Sequence, residues 1–127
     1  MPFITILVED NKTISETLVP ALEELANARV VAIATTASGA RQAVERWRGQ
    51  WHLMVVDLFL AAGSGLEVLQ SVRQRSPGQH VFVLSNYATP DMRRRCLAQG
   101  ADGVFDKSTE LDAFFDHCMA LPDPGPG

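Results

Sequence analysis

Short runs of β-prone apolar residues alternate along this chain with segments whose apolar residues recur every three or four positions. The apolar runs are Phe3 to Val8, Val30 to Ala34, His52 to Leu58, Val81 to Leu84 and Gly103 to Phe105. Between them Ile14, Leu18, Leu22 and Leu25 share one helix face, and Ala40, Ala43, Val44 and Trp47 a second. Leu66, Leu69 and Val72 mark a third helix, and Leu111, Phe114, Phe115 and Cys118 the last. A fourth begins at Pro90, well placed in a first turn, and stops at Gly100. Strands that are almost wholly apolar, joined by helices, imply a parallel sheet covered on both faces. Right-handed crossovers leave few topologies for it. The expectation is one α/β domain.

Helix starts are read from capping residues. Asn11 or Thr13 opens the first helix, Thr13 and Glu16 having capping-box spacing; Ser38 opens the second and Ser64 the third. Pro20 falls inside the first helix and is expected to bend it. The domain is expected over residues 1–121, with 122–127 a frayed tail or linker stub rich in Pro and Gly.

At 127 residues, with 46% hydrophobic and 20% charged content, the chain suits one soluble core. No apolar stretch approaches a membrane span, and MPFITILVEDNK lacks a basic leader and cleavage site, so a cytoplasmic protein without membrane contact is expected. A net charge of -4 argues against direct nucleic-acid binding. Arg93, Arg94 and Arg95 fan about 100° apart on a helix and read as a solvated face. Cys96 and Cys118 form no CxxC pair and read as small buried hydrophobes. His52, His80 and His117 show no ligand spacing.

Polar residues stand where the strands end. Glu9 and Asp10 follow the first strand, Asp57 interrupts the third, Ser85 follows the fourth and Lys107 the fifth. In an open parallel sheet all of these fall on the carboxyl edge, where ligands bind. Three clustered carboxylates repel one another unless a cation intervenes. An all-oxygen donor set with room for water suits Mg²⁺. Lys107 and Ser85 can then meet the oxygens of an incoming phosphoryl group. Asp57, mid-sheet, is the best placed nucleophile, and its attack on phosphorus gives an aspartyl phosphate.

On VEDN (Val8 to Asn11), VVDL (Val55 to Leu58), GSGLEVL (Gly63 to Leu69), VLSNYA (Val83 to Ala88) and GADGVFDKS (Gly100 to Ser108), the chain resembles the receiver domains of bacterial two-component response regulators. The resemblance covers residues 3 to 119. It implies a doubly wound, flavodoxin-like, five-stranded sheet of order 2-1-3-4-5 flanked by five helices. It implies that Asp57 accepts a phosphoryl group from a sensor histidine kinase or histidine phosphotransfer protein. Glu9, Asp10, Asp57 and the carbonyl of Phe59 become the Mg²⁺ (or Mn²⁺) ligands, Ser85 the switch hydroxyl and Lys107 the phosphate-pairing lysine. The output partner is unknown, in one version an absent C-terminal domain, and a dimer through the fourth-to-fifth-helix face is a further partner expectation.

Departures from the family pattern are expected to matter. Ala61 replaces a frequent Pro, and Ser108 follows the lysine where Pro is usual, so a trans Lys107–Ser108 bond is expected. Val104 fills the slot of the usual switch aromatic; Tyr87 and Phe105 are nearby aromatics outside that slot. These departures leave two readings, a phosphoacceptor switch and a pseudo-receiver that binds partners without phosphate. A general metabolic enzyme is not expected: an aspartate phosphatase usually has a second Asp two residues beyond its nucleophile, and Phe59 stands there.

Overall fold

The computed structural model describes residues 1–124. Its strands are β1 (Phe3–Val8), β2 (Ala28–Ala34), β3 (Leu53–Val56), β4 (His80–Ser85) and β5 (Gly103–Asp106). Its helices are α1 (Lys12–Leu25), α2 (Ala37–Arg46), α3 (Gly65–Ser71), α4 (Pro90–Ala98) and α5 (Leu111–Met119). All four strand pairings are parallel and the order is β2-β1-β3-β4-β5, as the resemblance implies.

Two-residue periodicity divides each strand between two cores. Phe3, Leu7, Leu53, Val55, Phe82, Leu84 and Phe105 pack beneath Leu18 and Leu22 of α1 and Phe114 and Cys118 of α5. Ile6, Val8, Met54, Val56, Val81, Val83 and Val104 pack beneath α2, α3 and α4 through Ala40, Val68, Leu69 and Cys96. Both cysteines are free and buried, as expected.

The differences from the sequence expectations have local causes. β2 begins at Ala28 rather than Val30, because pairing with β1 at Phe3 and Ile4 draws in two residues that lack a β signature. β3 ends at Val56, although Asp57 extends the contact by donating its N–H to the Val8 carbonyl at 2.9 Å. Thr36, not Ser38, caps α2, its hydroxyl accepting from Gly39 N–H at 2.9 Å. Asn11 caps α1 by accepting from Ile14 N–H. Ser64 and Thr89 cap α3 and α4. Among the described residues every peptide bond is trans, Lys107–Ser108 included. Of the expected tail, Asp123 meets the N-terminal ammonium at 3.1 Å, while residues 125–127 lie outside the described residues. Among the described residues no helix is long and apolar enough to cross a membrane.

Candidate functional site

The parallel sheet brings Glu9, Asp57, Ser85 and Lys107 to one edge from four strand ends. Glu9 is 2% exposed, and its carboxylate accepts the Asn11 N–H at 3.1 Å. Asp57 is largely buried; its Oδ1 accepts the N–H of Leu58 at 2.7 Å, which fixes the carboxylate plane. The Lys107 ammonium donates to Asp57 Oδ2 at 2.9 Å and also to Glu9 Oε1. A single cation thus bridges two acids contributed by strand ends far apart in sequence. Burial pushes the Glu9 carboxyl above its usual range, against the pull of Lys107. Burial would lower the Lys107 ammonium, but its hydrogen bonds to Glu9 and Asp57 outweigh this and raise it.

Asp10 is exposed beside them. Carboxylate oxygens of Glu9, Asp10 and Asp57 lie within 4.8 Å of one another. Three hard oxygen donors of net negative charge, two of them largely buried, fit a small divalent cation better than a thiol- or imidazole-seeking metal. Phe59 lies in the loop after β3, two residues beyond Asp57, on the same edge.

Ser85 is fully buried, and its Oγ accepts the Tyr87 N–H at 3.1 Å. Its carbonyl accepts the Lys107 N–H at 3.1 Å, so the hydroxyl-bearing and lysine-bearing segments are joined through backbone. Close approach fixes the acceptor loop as well. A Cβ on Gly65 would sit 2.3 Å from the Asp57 carbonyl oxygen, so only glycine lets α3 start this near the acid.

The aromatics divide. Tyr87 is exposed and its ring lies 4.2 Å from that of Phe59, which is exposed too. Phe105 points to the opposite face of the sheet and packs edge-on against Phe82 and Phe114 in the core. Val104 faces α4 and is buried.

Sequence reasoning missed three polar groups. Ser108 Oγ donates to Asn86 Oδ1 at 3.0 Å, linking the loops after β5 and β4. Arg93, read as part of a solvated run, donates to the carbonyls of Ala88 and Val104 and to Glu110. His52, given no role, accepts the Ile4 N–H on Nδ1 at 2.9 Å.

Known proteins share this architecture. The chain is 27% identical over 123 residues to the photosynthetic apparatus regulatory protein RegA of Rhodobacter capsulatus, covering 94% of this chain and 65% of that one. It spans only 16% of a second curated relative. Among solved structures it superposes on the CheX–CheY–BeF3–Mg complex from Borrelia burgdorferi with a TM-score of 0.84 at 15% identity, covering 95% of this chain and 90% of that one. A Burkholderia pseudomallei response regulator with a phosphorylated aspartic acid, calcium and citrate gives 0.76 at 22% identity, covering 94% and 66%. The family described as "Response regulator receiver domain" matches residues 5–118, nearly the whole folded chain, and to that family this protein belongs.

Proposed function

We propose that Asp57 is the phosphoacceptor of a switch, taking its phosphoryl group from a phosphohistidine on a sensor histidine kinase or histidine phosphotransfer protein. An Asp57 carboxylate oxygen attacks phosphorus; the P–N bond breaks, its electron pair returns to the imidazole nitrogen, and the ring takes a proton from solvent. Glu9, Asp10, Asp57 and the Phe59 carbonyl would hold Mg²⁺ (or Mn²⁺), which when bound supplies positive charge to the phosphoryl oxygens. Lys107 stands within hydrogen-bond reach of the nucleophile and is placed to pair with a new phosphoryl oxygen. Ser85 turns its hydroxyl from Tyr87 N–H to another oxygen. Hydrolysis of the acyl phosphate, in which water takes the phosphoryl group as inorganic phosphate and frees the Asp57 carboxylate, returns the resting state, so the chain assists its own chemistry without being a general metabolic enzyme. The output is a changed affinity of the α4–β5–α5 face for a partner: a second copy, a further domain or another protein.

The observation that carries this reading is the Lys107 bridge between Glu9 and Asp57, with Asp10 beside it. Incubation with Mg²⁺ and phosphoramidate or acetyl phosphate, followed by intact mass, tests it. The wild type is expected to gain one phosphoryl group, and Asp57→Asn none. The second reading, a phosphorylation-independent interaction module, is favoured by Val104 in the aromatic slot. It gains support if no donor adds mass.

A further inference from the structure

Helix α4 buries only Cys96; its other side chains are exposed or half-buried. A helix with so little apolar contact needs another anchor. Arg93 supplies it. Its Nε donates to the Ala88 carbonyl at 2.9 Å, in the loop before α4. Its Nη1 donates to the Val104 carbonyl at 3.1 Å, on β5. Its Nη2 donates to Glu110 Oε1, at the start of α5. One guanidinium therefore holds a loop, a strand and a helix terminus together.

Glu110 forgoes a more ordinary task to take part. It is the N-cap residue of α5, yet its side chain makes no capping bond. Its Oε1 turns back to accept both Arg93 and the N–H of Asp106 at 2.9 Å. Asp106 Oδ1 in turn accepts the N–H groups of Ser108 at 2.7 Å and Thr109 at 3.2 Å. Asp106 to Glu110 is thus one hydrogen-bonded turn, with Lys107 facing the acids near one end and Glu110 holding Arg93 at the other. Asn86, bonded to Ser108, ties the turn to the Ser85 loop as well.

The turn that carries Lys107 ends on Glu110, and Glu110 holds Arg93, so a displacement of Lys107 has a continuous path to α4. We propose that Arg93 is a latch that docks α4 on Glu110 and on the Ala88 and Val104 carbonyls in the resting protein, and releases α4 when phosphorylation of Asp57 displaces Lys107 and the turn that carries it. The coupling half of this inference rests on the phosphoacceptor reading; the docking half does not. Both states must differ in contacts for the group on Asp57 to shift the balance, and the latch is where they differ.

Hydrogen–deuterium exchange on the full chain tests both halves, with and without Mg²⁺ and phosphoramidate, and with intact mass read on the same samples. Resting Arg93→Ala is expected to exchange its α4 amides roughly threefold to fivefold faster than the resting wild type, the range an incompletely buried ion pair supports. The amides of β1 and β3 should stay as protected as in the wild type, which shows that the variant is folded. Phosphorylated wild type should approach the rate of resting Arg93→Ala, and phosphorylation should add little in that variant. Glu110→Gln, which keeps an acceptor for Asp106 N–H but loses the charge, should fall between. Unchanged α4 exchange in resting Arg93→Ala overturns the latch. An equal increase on phosphorylation in wild type and variant overturns the coupling. A wild type that gains no phosphoryl mass refutes the acceptor reading and the coupling with it, while the resting comparison still decides the docking.

Discussion

Replacing Lys107 by Met keeps most of the side-chain length and volume but removes the ammonium that bridges Glu9 and Asp57. At 2.9 Å from Asp57 Oδ2 the Coulomb attraction is about 6 kcal/mol at an effective dielectric of about 20. Desolvation of a lysine side chain that is 10% exposed opposes much of this. Breaking one side of a buried pair costs about 3–5 kcal/mol in practice, because the remaining charge is left without a partner. Glu9, 2% exposed, and Asp57, whose side chain is 11% exposed, are both left so. A loss of about 3 kcal/mol at neutral pH follows, toward the lower end because Asp57 keeps its bond to Leu58 N–H. Urea unfolding reads it directly: with a slope of about 1.5 kcal/mol per molar, the midpoint falls by about 2 M. Glu9→Gln serves as the second arm of a double-mutant cycle. In that background Lys107→Met should cost at least about 1 kcal/mol less, since the buried charge it abandons is gone. A loss below about 1 kcal/mol in the single variant, or an unchanged loss in the Glu9→Gln background, refutes the bridge as the charge balance of the crevice.

Gly65→Ala should destabilise the protein by about 2–3 kcal/mol in a thermal melt and reduce phosphoryl uptake, because the new methyl meets the Asp57 carbonyl at 2.3 Å; a variant as stable as the parent contradicts the close approach. Burial first, and His80 second, hold the His52 imidazole below its usual pKa, and its neutral Nδ1 accepts Ile4 N–H. The stability this contributes is therefore complete above the unfolded value of about 6.5 and lost as pH falls through the lower folded value. His52→Asn, which keeps an acceptor that does not titrate, should lose less stability than wild type between about pH 7 and pH 5; parallel losses count against the assignment. Phe59→Ala removes the ring packed at a tilt against Tyr87 and should shorten the phosphoryl lifetime several-fold by admitting water. Equal decay of the mass adduct in parent and variant excludes that shielding role.

The sheet and the acids on its edge were legible because both obey rules that single residues announce. Asp57 after an apolar run, Glu9–Asp10 at the end of another and Lys107 after a third all report strand ends, and parallel strands end together. The meeting of Lys107 with Glu9 required only that geometry. Arg93 and Glu110 carry no such signal: they lie 17 residues apart on different elements, and Arg93 sits in a run of three identical side chains of which only one turns inward. The register of a helix face cannot be read from a run of identical residues. Thr36 and Ser38 are equally good caps by type, and the choice fell to where α2 meets the loop after β3, through Ala37 N–H and the Ala62 carbonyl at 3.0 Å. His52 gave no sign because its partner is backbone, which every residue possesses.

The Arg93–Glu110 pair has side chains about one-third open to solvent, at 34% and 35%. Mobile ions reach such a pair, and the distance over which they leave charges visible to each other shrinks from about 8 Å at physiological salt to about 3 Å at 1 M. With Arg93 as the fastening, concentrated electrolyte is expected to loosen α4 in the unphosphorylated protein and so to narrow its contrast with the proposed phosphorylated state. Dilute electrolyte is expected to tighten it, which would make the proposed phosphoryl switch depend on ionic strength.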